Sequence, residues 1–125
     1  MRLSTTPLPN CSACSLGTPG EAGAGNLHWQ LPSSKTIIEW GAASNASFYK
    51  VYQGTGSSLP NLLNGSNDSC LKGTTPSLSL GGLSSSPPAG TTWWYLVTGG
   101  NGHAEGPAGN ATAGPEVINS SGGCP

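Results

Sequence analysis

The chain has 125 residues, of which only 7% are charged, and its formal net charge at pH 7 is −1. This length fits one domain with tails, and the charge content lies far below the roughly 25% of an ordinary soluble domain. A net charge near zero argues against nucleic acid or an anionic membrane surface as a partner. Membrane insertion is not expected either, because no apolar run approaches the roughly 18 residues of a membrane-spanning helix.

Residues Met1–Gly25 are rich in Pro, Gly, Ala, Ser and Thr, and they are predicted to form an extended arm or linker. The segment lacks the apolar stretch of a secretory signal, while the rest of the chain is typical of an exported protein. We therefore expect that a signal has been removed or that the true start lies upstream. Two hypotheses follow for the arm: it adds a strand to the sheet of a neighbouring chain, or it is a linker from a longer polypeptide.

The folded part is predicted to begin at Asn26, where apolar and polar residues start to alternate with the period of a half-buried strand. The first half of the chain predicts strands at Leu27–Leu31, Thr36–Trp40 and Ser47–Gln53. Residues Gly54–Asn67 are predicted to form a long polar connection.

The second half predicts a short segment opened by Cys70-Leu71 and strands at Ser77–Leu80 and Thr92–Gly99, with a weak last strand at Ala108–Ala113. No segment of useful length has helical periodicity, so the fold class is predicted to be all-β. Seven short strands separated by turn residues are typical of a Greek-key sandwich of the immunoglobulin or fibronectin type.

The strand phases predict which side chains face the core. The predicted core residues are Trp40, Tyr49, Val51, Tyr95 and Val97, and Trp93 shares their inward phase while Trp29 alternates with polar neighbours. Tyr52 and Trp94 fall on outward phases and are predicted to form an exposed interaction surface. Such a surface either contacts a neighbouring chain or stacks on the apolar face of a sugar ring.

Four cysteines in a short chain of extracellular character indicate disulfides, and they allow three pairings. Cys11 and Cys14 form a C-x-x-C motif, which in other settings is a redox pair or half of a zinc site. Here Pro and Gly surround the motif, so no helix start is expected, and zinc needs two further ligands. A local disulfide, or a link to a neighbouring chain, is the favoured interpretation.

Several of these segments together resemble a fibronectin type III domain, in the version found in secreted and surface proteins of environmental bacteria. The residues that carry the resemblance are Ile38-Glu39-Trp40, Tyr49-Lys50-Val51-Tyr52, Tyr95-Leu96-Val97-Thr98, Asn101 and Glu105-Gly106-Pro107. The chain departs from the family pattern at Gly99 and in the loop Asn101–Gly106. These departures affect the shape of the hairpin that contains this loop. The resemblance covers about Asn26–Pro125.

The resemblance implies a mid-domain cysteine paired with a cysteine at the terminal Cys-Pro, which here means Cys70 with Cys124. It also divides the chain into an arm at 1–25, a sandwich at 26–115 and a C-terminal tail at 116–125 that carries Cys124. A disulfide across more than fifty residues is expected to matter in a domain so poor in aliphatic side chains.

The residue types of catalytic and metal sites are sparse. His103 lies near Glu105 in the predicted last hairpin loop, but a flexible Gly-rich loop offers no pocket for acid–base chemistry, and His28 has no such neighbour. Asp68 is the only aspartate, whereas calcium needs several carboxylates close together. We therefore expect no enzyme activity, no cofactor and no metal.

Sequons for N-glycosylation are frequent, because six of the nine asparagines stand in N-x-S/T. These residues are Asn10, Asn45, Asn64, Asn67, Asn110 and Asn119. A polar, Ser-rich surface also produces such triplets by chance, so modification remains one of two interpretations.

The sequence as a whole predicts a non-enzymatic structural or interaction module of an extracellular or cell-surface assembly, with a filament subunit as the specific hypothesis. The expected partners are other protein chains, either further copies or a larger surface complex, with glycans as a further class. The alternative function is a glycan-binding accessory module that uses Tyr52 and Trp94 as its platform.

Overall fold

The computed structural model describes residues 18–22, 27–31, 34–83, 87–102, 104–108, 110–111, 114–115 and 117–124. Its elements in chain order are β1 (His28–Leu31), β2 (Ser34–Glu39), β3 (Phe48–Thr55), a 3₁₀ helix (Gly56–Leu63), β4 (Ser69–Thr75), β5 (Ser79–Leu80), β6 (Trp93–Gly100), β7 (Asn110–Ala111), β8 (Gly114–Pro115) and β9 (Ser120–Gly123). Two sheets, ordered β1-β2-β5 and β6-β3-β4-β9, pack against each other, and β7 pairs with β8. The predicted all-β sandwich is confirmed.

The core lies between the two sheets, where the predicted strand phases hold. Trp40, Tyr49, Val51 and Val97 are each at most 4% exposed, and the ring of Trp40 lies 5.7 Å from that of Tyr49. Tyr95 is half-buried and packs against this cluster. The antiparallel pairing of β3 with β6 sets Val51 opposite Val97, so both point into the same interior. The core prediction is therefore confirmed, with Tyr95 at its margin.

The two sheets meet at both sides of this core. On one side Trp29 of β1 contacts Tyr95 of β6 edge to face, with ring centroids 5.6 Å apart. On the other side Leu80 of β5 lies over Gly73 of β4, where a β-carbon would come within 3.1 Å of the leucine side chain. The absence of a side chain at residue 73 allows the sheets to approach there.

The C-terminal residues cover the second face of the larger sheet. The backbone N–H of Val117 donates to the carbonyl of Leu62 in the 3₁₀ helix at 2.8 Å. Strand β9 then pairs in parallel with β4, and the disulfide between Cys70 and Cys124 closes this arrangement. The disulfide that the resemblance implied is confirmed, whereas Cys11 and Cys14 lie outside the described residues.

Three predicted elements differ from the structure. The connection Gly54–Asn67 contains the 3₁₀ helix, and the predicted strand Ser77–Leu80 is reduced to Ser79–Leu80. The predicted last strand, Ala108–Ala113, is a strand at Asn110–Ala111, which within the described residues pairs with β8 and not with β6; Gly109, Thr112 and Ala113 lie outside those residues. A helix this short with 3₁₀ geometry needs no long amphipathic pattern, so alternation alone does not reveal it.

The last residues of the predicted arm pack on the sandwich. Pro19 and Ala22 are buried, and the N–H of Gly20 donates to the carbonyl of Ser44 at 3.1 Å. Pro19 also approaches Gly99 near the end of β6. Residues 18–22 therefore belong to the folded part, while residues 1–17 lie outside the described chain.

Candidate functional site

The predicted surface of Tyr52 and Trp94 lies on the expected face of the larger sheet, but it is not an exposed platform. Tyr52 is only 6% exposed, so the prediction that its ring is exposed is wrong. Residues of the C-terminal segment, among them Val117 and Ile118, line the same cavity as Tyr52 and cover this face. The two aromatic residues therefore do not form the flat, open surface that stacking on a sugar requires.

Trp94 is half-buried and held in place by residues of the neighbouring strand β3. Its indole N–H donates to the carbonyl of Thr55 at 2.7 Å. The six-membered part of the indole lies over Gly54, where a β-carbon would come within 2.1 Å of the ring. Glycine at position 54 therefore leaves the space that the indole of Trp94 occupies.

A polar cluster lies beneath the C-terminal segment and is centred on Glu105. The hydroxyls of Tyr52 and Thr98 donate to the same carboxylate oxygen, at 2.7 Å and 2.5 Å. Lys50 lies 3.7 Å from the other oxygen. These contacts involve both oxygens of the Glu105 carboxylate and hold the segment after β6 against the sheet. The role of Glu105 is therefore structural. His103, the other residue of the predicted acid–base pair, lies outside the described residues.

The environment of Tyr52 changes its acidity. Burial raises the pKa of the phenol well above its ordinary value of 10.0, and the hydrogen bond to the Glu105 carboxylate raises it further. Burial also raises the pKa of Tyr95, whose hydroxyl donates to the neutral amide oxygen of Gln53 at 3.3 Å. Both tyrosines are therefore favoured in the protonated form when the chain is folded.

Replacing Tyr52 with phenylalanine is expected to lower the free energy of unfolding at neutral pH by about 1–2 kcal/mol, because Glu105 loses one of its donors. The full contribution of the phenol is present below pH 10, where it is protonated in both states. Above that pH the unfolded chain loses the proton first, so wild-type stability falls. Tyr52→Phe should weaken this alkaline decline in urea unfolding measured from neutral to alkaline pH.

Tyr95→Phe is the matched control, because its hydroxyl bonds to a neutral group. It should cost less at neutral pH than Tyr52→Phe. Equal losses in the two variants, or an unchanged alkaline decline in Tyr52→Phe, would contradict the importance assigned to Glu105.

The outer edge of β6 is a feature that the sequence analysis missed. Among the described residues, β6 pairs with β3 on one side and is the last strand of its sheet on the other. The N–H of Gly56 donates to the carbonyl of Thr92, and the N–H of Gly106 donates to that of Gly99. Since antiparallel bonding alternates along a strand, the backbone groups of Trp93, Tyr95 and Val97 point outward from the sheet.

Strand β1 packs against β6 through the contact of Trp29 with Tyr95. Trp29 faces the larger sheet, whereas Leu27 and Leu31 are 40% and 56% exposed, and the register of β1 against β2 shifts between Trp29 and Leu31. A cavity of about 330 Å³ lies beside Trp29, and its lining includes Lys35, Pro87, Trp93 and Tyr95. We call the surface formed by Trp29, Trp93 and Tyr95 the edge groove.

The predicted glycosylation sites differ in their surroundings. Asn64 is exposed in a turn, and its side-chain oxygen accepts the N–H of Ser66 at 2.8 Å. The amide nitrogen of Asn119, the atom that would carry a glycan, donates to the carbonyl of Gly65 at 2.7 Å. Asn45 and Asn67 are exposed.

Two further predicted acceptors carry less information. Asn110 is described by its backbone in β7, and Asn10 lies outside the described residues. Among the described sequons, Asn45, Asn64 and Asn67 are exposed and none of their side-chain nitrogens is recorded in a hydrogen bond.

Two other titratable residues serve the fold. Asp68 is 4% exposed, and its carboxylate accepts the Ser69 hydroxyl at 2.5 Å and the N–H of Asn119 at 2.7 Å. This carboxylate therefore holds the C-terminal residues against β4. His28 lies 3.2 Å from a carboxylate oxygen of Glu39 on the outer face of the smaller sheet.

Within the described ranges, no group of three or more His, Cys, Asp or Glu side chains is placed to hold a metal ion. The helical part of those ranges contains nothing long and apolar enough to cross a membrane. Comparisons with protein-family models, curated proteins and solved structures find no match for this chain.

Proposed function

We propose that this chain is a non-enzymatic structural module of an extracellular or cell-surface assembly, in which copies of the chain join as the subunits of a filament. The observation that carries the proposal is the outer edge of β6, with which no strand of the described residues pairs. An uncharged edge strand is a ready site for pairing with another chain, and stable monomers protect such edges with charge, proline or a covering segment. Residues Trp93–Gly100 contain no charge and no proline.

The fibronectin type III-like fold is part of the same proposal. The placement of β1, β2 and β5 in one sheet and of β3, β4 and β6 in the other supports a Greek-key arrangement of that kind. In this proposal the seventh position of the sandwich lies beside β6, and a partner fills it.

An extracellular location is proposed from the covalent and surface chemistry. The disulfide between Cys70 and Cys124 favours an oxidising compartment. Exposed sequons such as Asn64 favour a surface that carries glycans, and neutral polar residues replace charges across the chain.

The native mass of the full chain tests the proposal. In sedimentation velocity of the native, unreduced chain over a wide range of protein concentration, we expect the mass to rise with concentration. A parallel series with reductant reports any covalent link between chains. A monomer at every concentration would contradict the proposal, and a monomer that binds a polysaccharide array would support the glycan-binding alternative instead.

A further inference from the structure

We infer that Asn64 is the residue at which the folded chain accepts an N-linked glycan, from a donor whose oligosaccharide is joined through phosphate to a lipid. The inference rests on the extracellular location in the proposed function, because this modification is made on exported chains. The sequons whose asparagine side chains the structure describes are those of Asn45, Asn64, Asn67 and Asn119. Among them, the sequon of Asn64 is the one that is open throughout.

The reaction joins the side-chain amide of asparagine to a sugar. Nδ2 of Asn64 forms a bond to the anomeric carbon of the first sugar, and the bond from that carbon to the phosphate oxygen of the lipid breaks. The lipid phosphate leaves with the electron pair, and one amide proton passes to a base of the transferase. Recognition also needs the hydroxyl two residues later, so Nδ2 of Asn64 and the hydroxyl of Ser66 must both be accessible.

The structure leaves both groups accessible. Asn64, Gly65 and Ser66 are all exposed. Nδ2 of Asn64 and the hydroxyl of Ser66 make no hydrogen bond to any described residue. A β-carbon at Gly65 would meet nothing within 4 Å, so the open space continues over the middle of the sequon. A transferase can therefore reach the acceptor and its recognition hydroxyl from one side.

The turn that carries the sequon is held by the end of the 3₁₀ helix. The carbonyl of Asn61 accepts the N–H of Asn64 at 3.2 Å and that of Gly65 at 3.1 Å, and its side-chain amide donates to the carbonyl of Asn67 at 2.8 Å. Oδ1 of Asn64 accepts the N–H of Ser66 at 2.8 Å, which brings the two side chains of the sequon together. Because this bond uses the amide oxygen, the nitrogen remains available to the donor sugar.

Two neighbouring sequons are closed by the fold. Asn67 is exposed, but its recognition hydroxyl belongs to Ser69, which is 6% exposed and donates to the carboxylate of Asp68. Nδ2 of Asn119 donates to the carbonyl of Gly65 at 2.7 Å and must leave that bond to reach a transferase. Transfer to either asparagine therefore requires local opening of the fold.

The sequon of Asn45 is tied to the sandwich at the turn between β2 and β3. The carbonyl of Asn45 accepts the side-chain amide of Asn101 at 2.9 Å. The N–H of Ser47 donates to the carbonyl of Gly100 at 2.7 Å, and its hydroxyl lies 3.5 Å from the same oxygen. The middle residue, Ala46, packs against the core. The recognition hydroxyl of this sequon is therefore directed at the fold.

The position of Asn64 is compatible with assembly through β6. Gly65 is bonded to Asn119, the residue before β9, and β9 is the last described strand of the larger sheet at the end away from β6. A glycan on Asn64 is therefore attached at the opposite edge from the one assigned to contact between copies.

The test treats the purified, folded, full-length chain with a single-subunit oligosaccharyltransferase that accepts N-x-S/T and with a lipid-pyrophosphate-linked oligosaccharide. Intact mass counts the glycans, and peptide mapping after deglycosylation in heavy-oxygen water locates them. The initial rate at Asn64 should exceed those at Asn67 and Asn119 at least about tenfold, because these must first break contacts with the fold. Asn64 should also be modified before Asn45. In the reduced and alkylated chain, shown to be unfolded by near-ultraviolet circular dichroism, the rates should become similar.

Two variants separate the recognition hydroxyl from the turn. Ser66→Ala removes the hydroxyl but keeps the N–H that bonds to Asn64, so transfer to Asn64 should be lost, and Ser66→Thr should retain it. Gly65→Ala keeps the sequon but places a side chain at φ +78°, where it is strained. Transfer to Asn64 should then slow by at least about threefold in the folded chain and stay unchanged in the unfolded chain.

The matched control is Gly82→Ala, which introduces the same strain at φ +77° on an exposed residue outside the sequon. It should leave transfer to Asn64 unchanged. Folded protein that is not modified at Asn64, or is modified equally fast at Asn119, would overturn the inference. Equal rates in the Gly65→Ala and Gly82→Ala chains would overturn it as well. These results leave the proposed function standing, whereas a monomer at every concentration overturns that function and leaves the transfer assay unaffected.

Discussion

Replacing Cys70 and Cys124 together with alanine is expected to lower the free energy of unfolding by about 4 kcal/mol, because the disulfide closes a loop with a sequence separation of 54 residues. Because the domain is small and has few aliphatic core residues, this decrease is a large part of its total free energy of unfolding. It should also release the end of β9, which pairs with β4 beside the disulfide.

Urea unfolding followed by tryptophan fluorescence measures this effect. The matched control is Cys11→Ala with Cys14→Ala, whose sequence separation is too short to constrain the unfolded chain comparably. A change of under about 1 kcal/mol in the Cys70/Cys124 variant would show that the C-terminal segment is held mainly by its hydrogen bonds.

Trp40→Ala is expected to cost about 3–5 kcal/mol, through lost burial and the cavity that remains. Trp40 is 3% exposed, and its ring contacts Tyr49 at the centre of the core. Thermal unfolding of the variant should show a markedly lower midpoint. An unchanged unfolding curve would mean that the phase of β2 is wrong by one residue, which would reverse every side chain on it.

Trp40→Phe separates the size of the side chain from its polar atom. The indole nitrogen of Trp40 is buried and has no hydrogen-bond partner within the described residues. Removing that N–H offsets part of the lost apolar area, because a buried donor without a partner costs free energy. Trp40→Phe should therefore be much milder than Trp40→Ala, and Trp94→Ala, at a half-buried site, should also cost less.

Strand phase is the part of the structure that local sequence determines well. The alternation around Tyr49 and Val51 and around Val97 identified the buried face correctly, because residues two apart on a strand share a face. The same rule placed the side chain of Tyr52 on the opposite face of the sheet, and the structure has it on that face. Its burial was not predictable, since it depends on the C-terminal segment crossing that face from far along the chain.

The elements that the sequence did not predict share a dependence on distant contacts. Strand β9 is Ser-Ser-Gly-Gly, which has low intrinsic preference for a strand, and its pairing is supported by the Asp68 carboxylate and the disulfide. The edge groove lies where no described strand pairs beyond β6. Neither feature is encoded in a short window of residues.

Amide hydrogen exchange of the full-length chain tests the central claim most directly, because it reports the edge of β6 itself. The amides of Trp93, Tyr95 and Val97 point outward from the described sheet and should exchange readily in dilute, monomeric protein. On assembly at high concentration we expect these amides to become protected, while those of Trp94 and Leu96, already bonded to β3, change little. Assembly that leaves the outward amides as exchangeable as in the monomer would contradict the account.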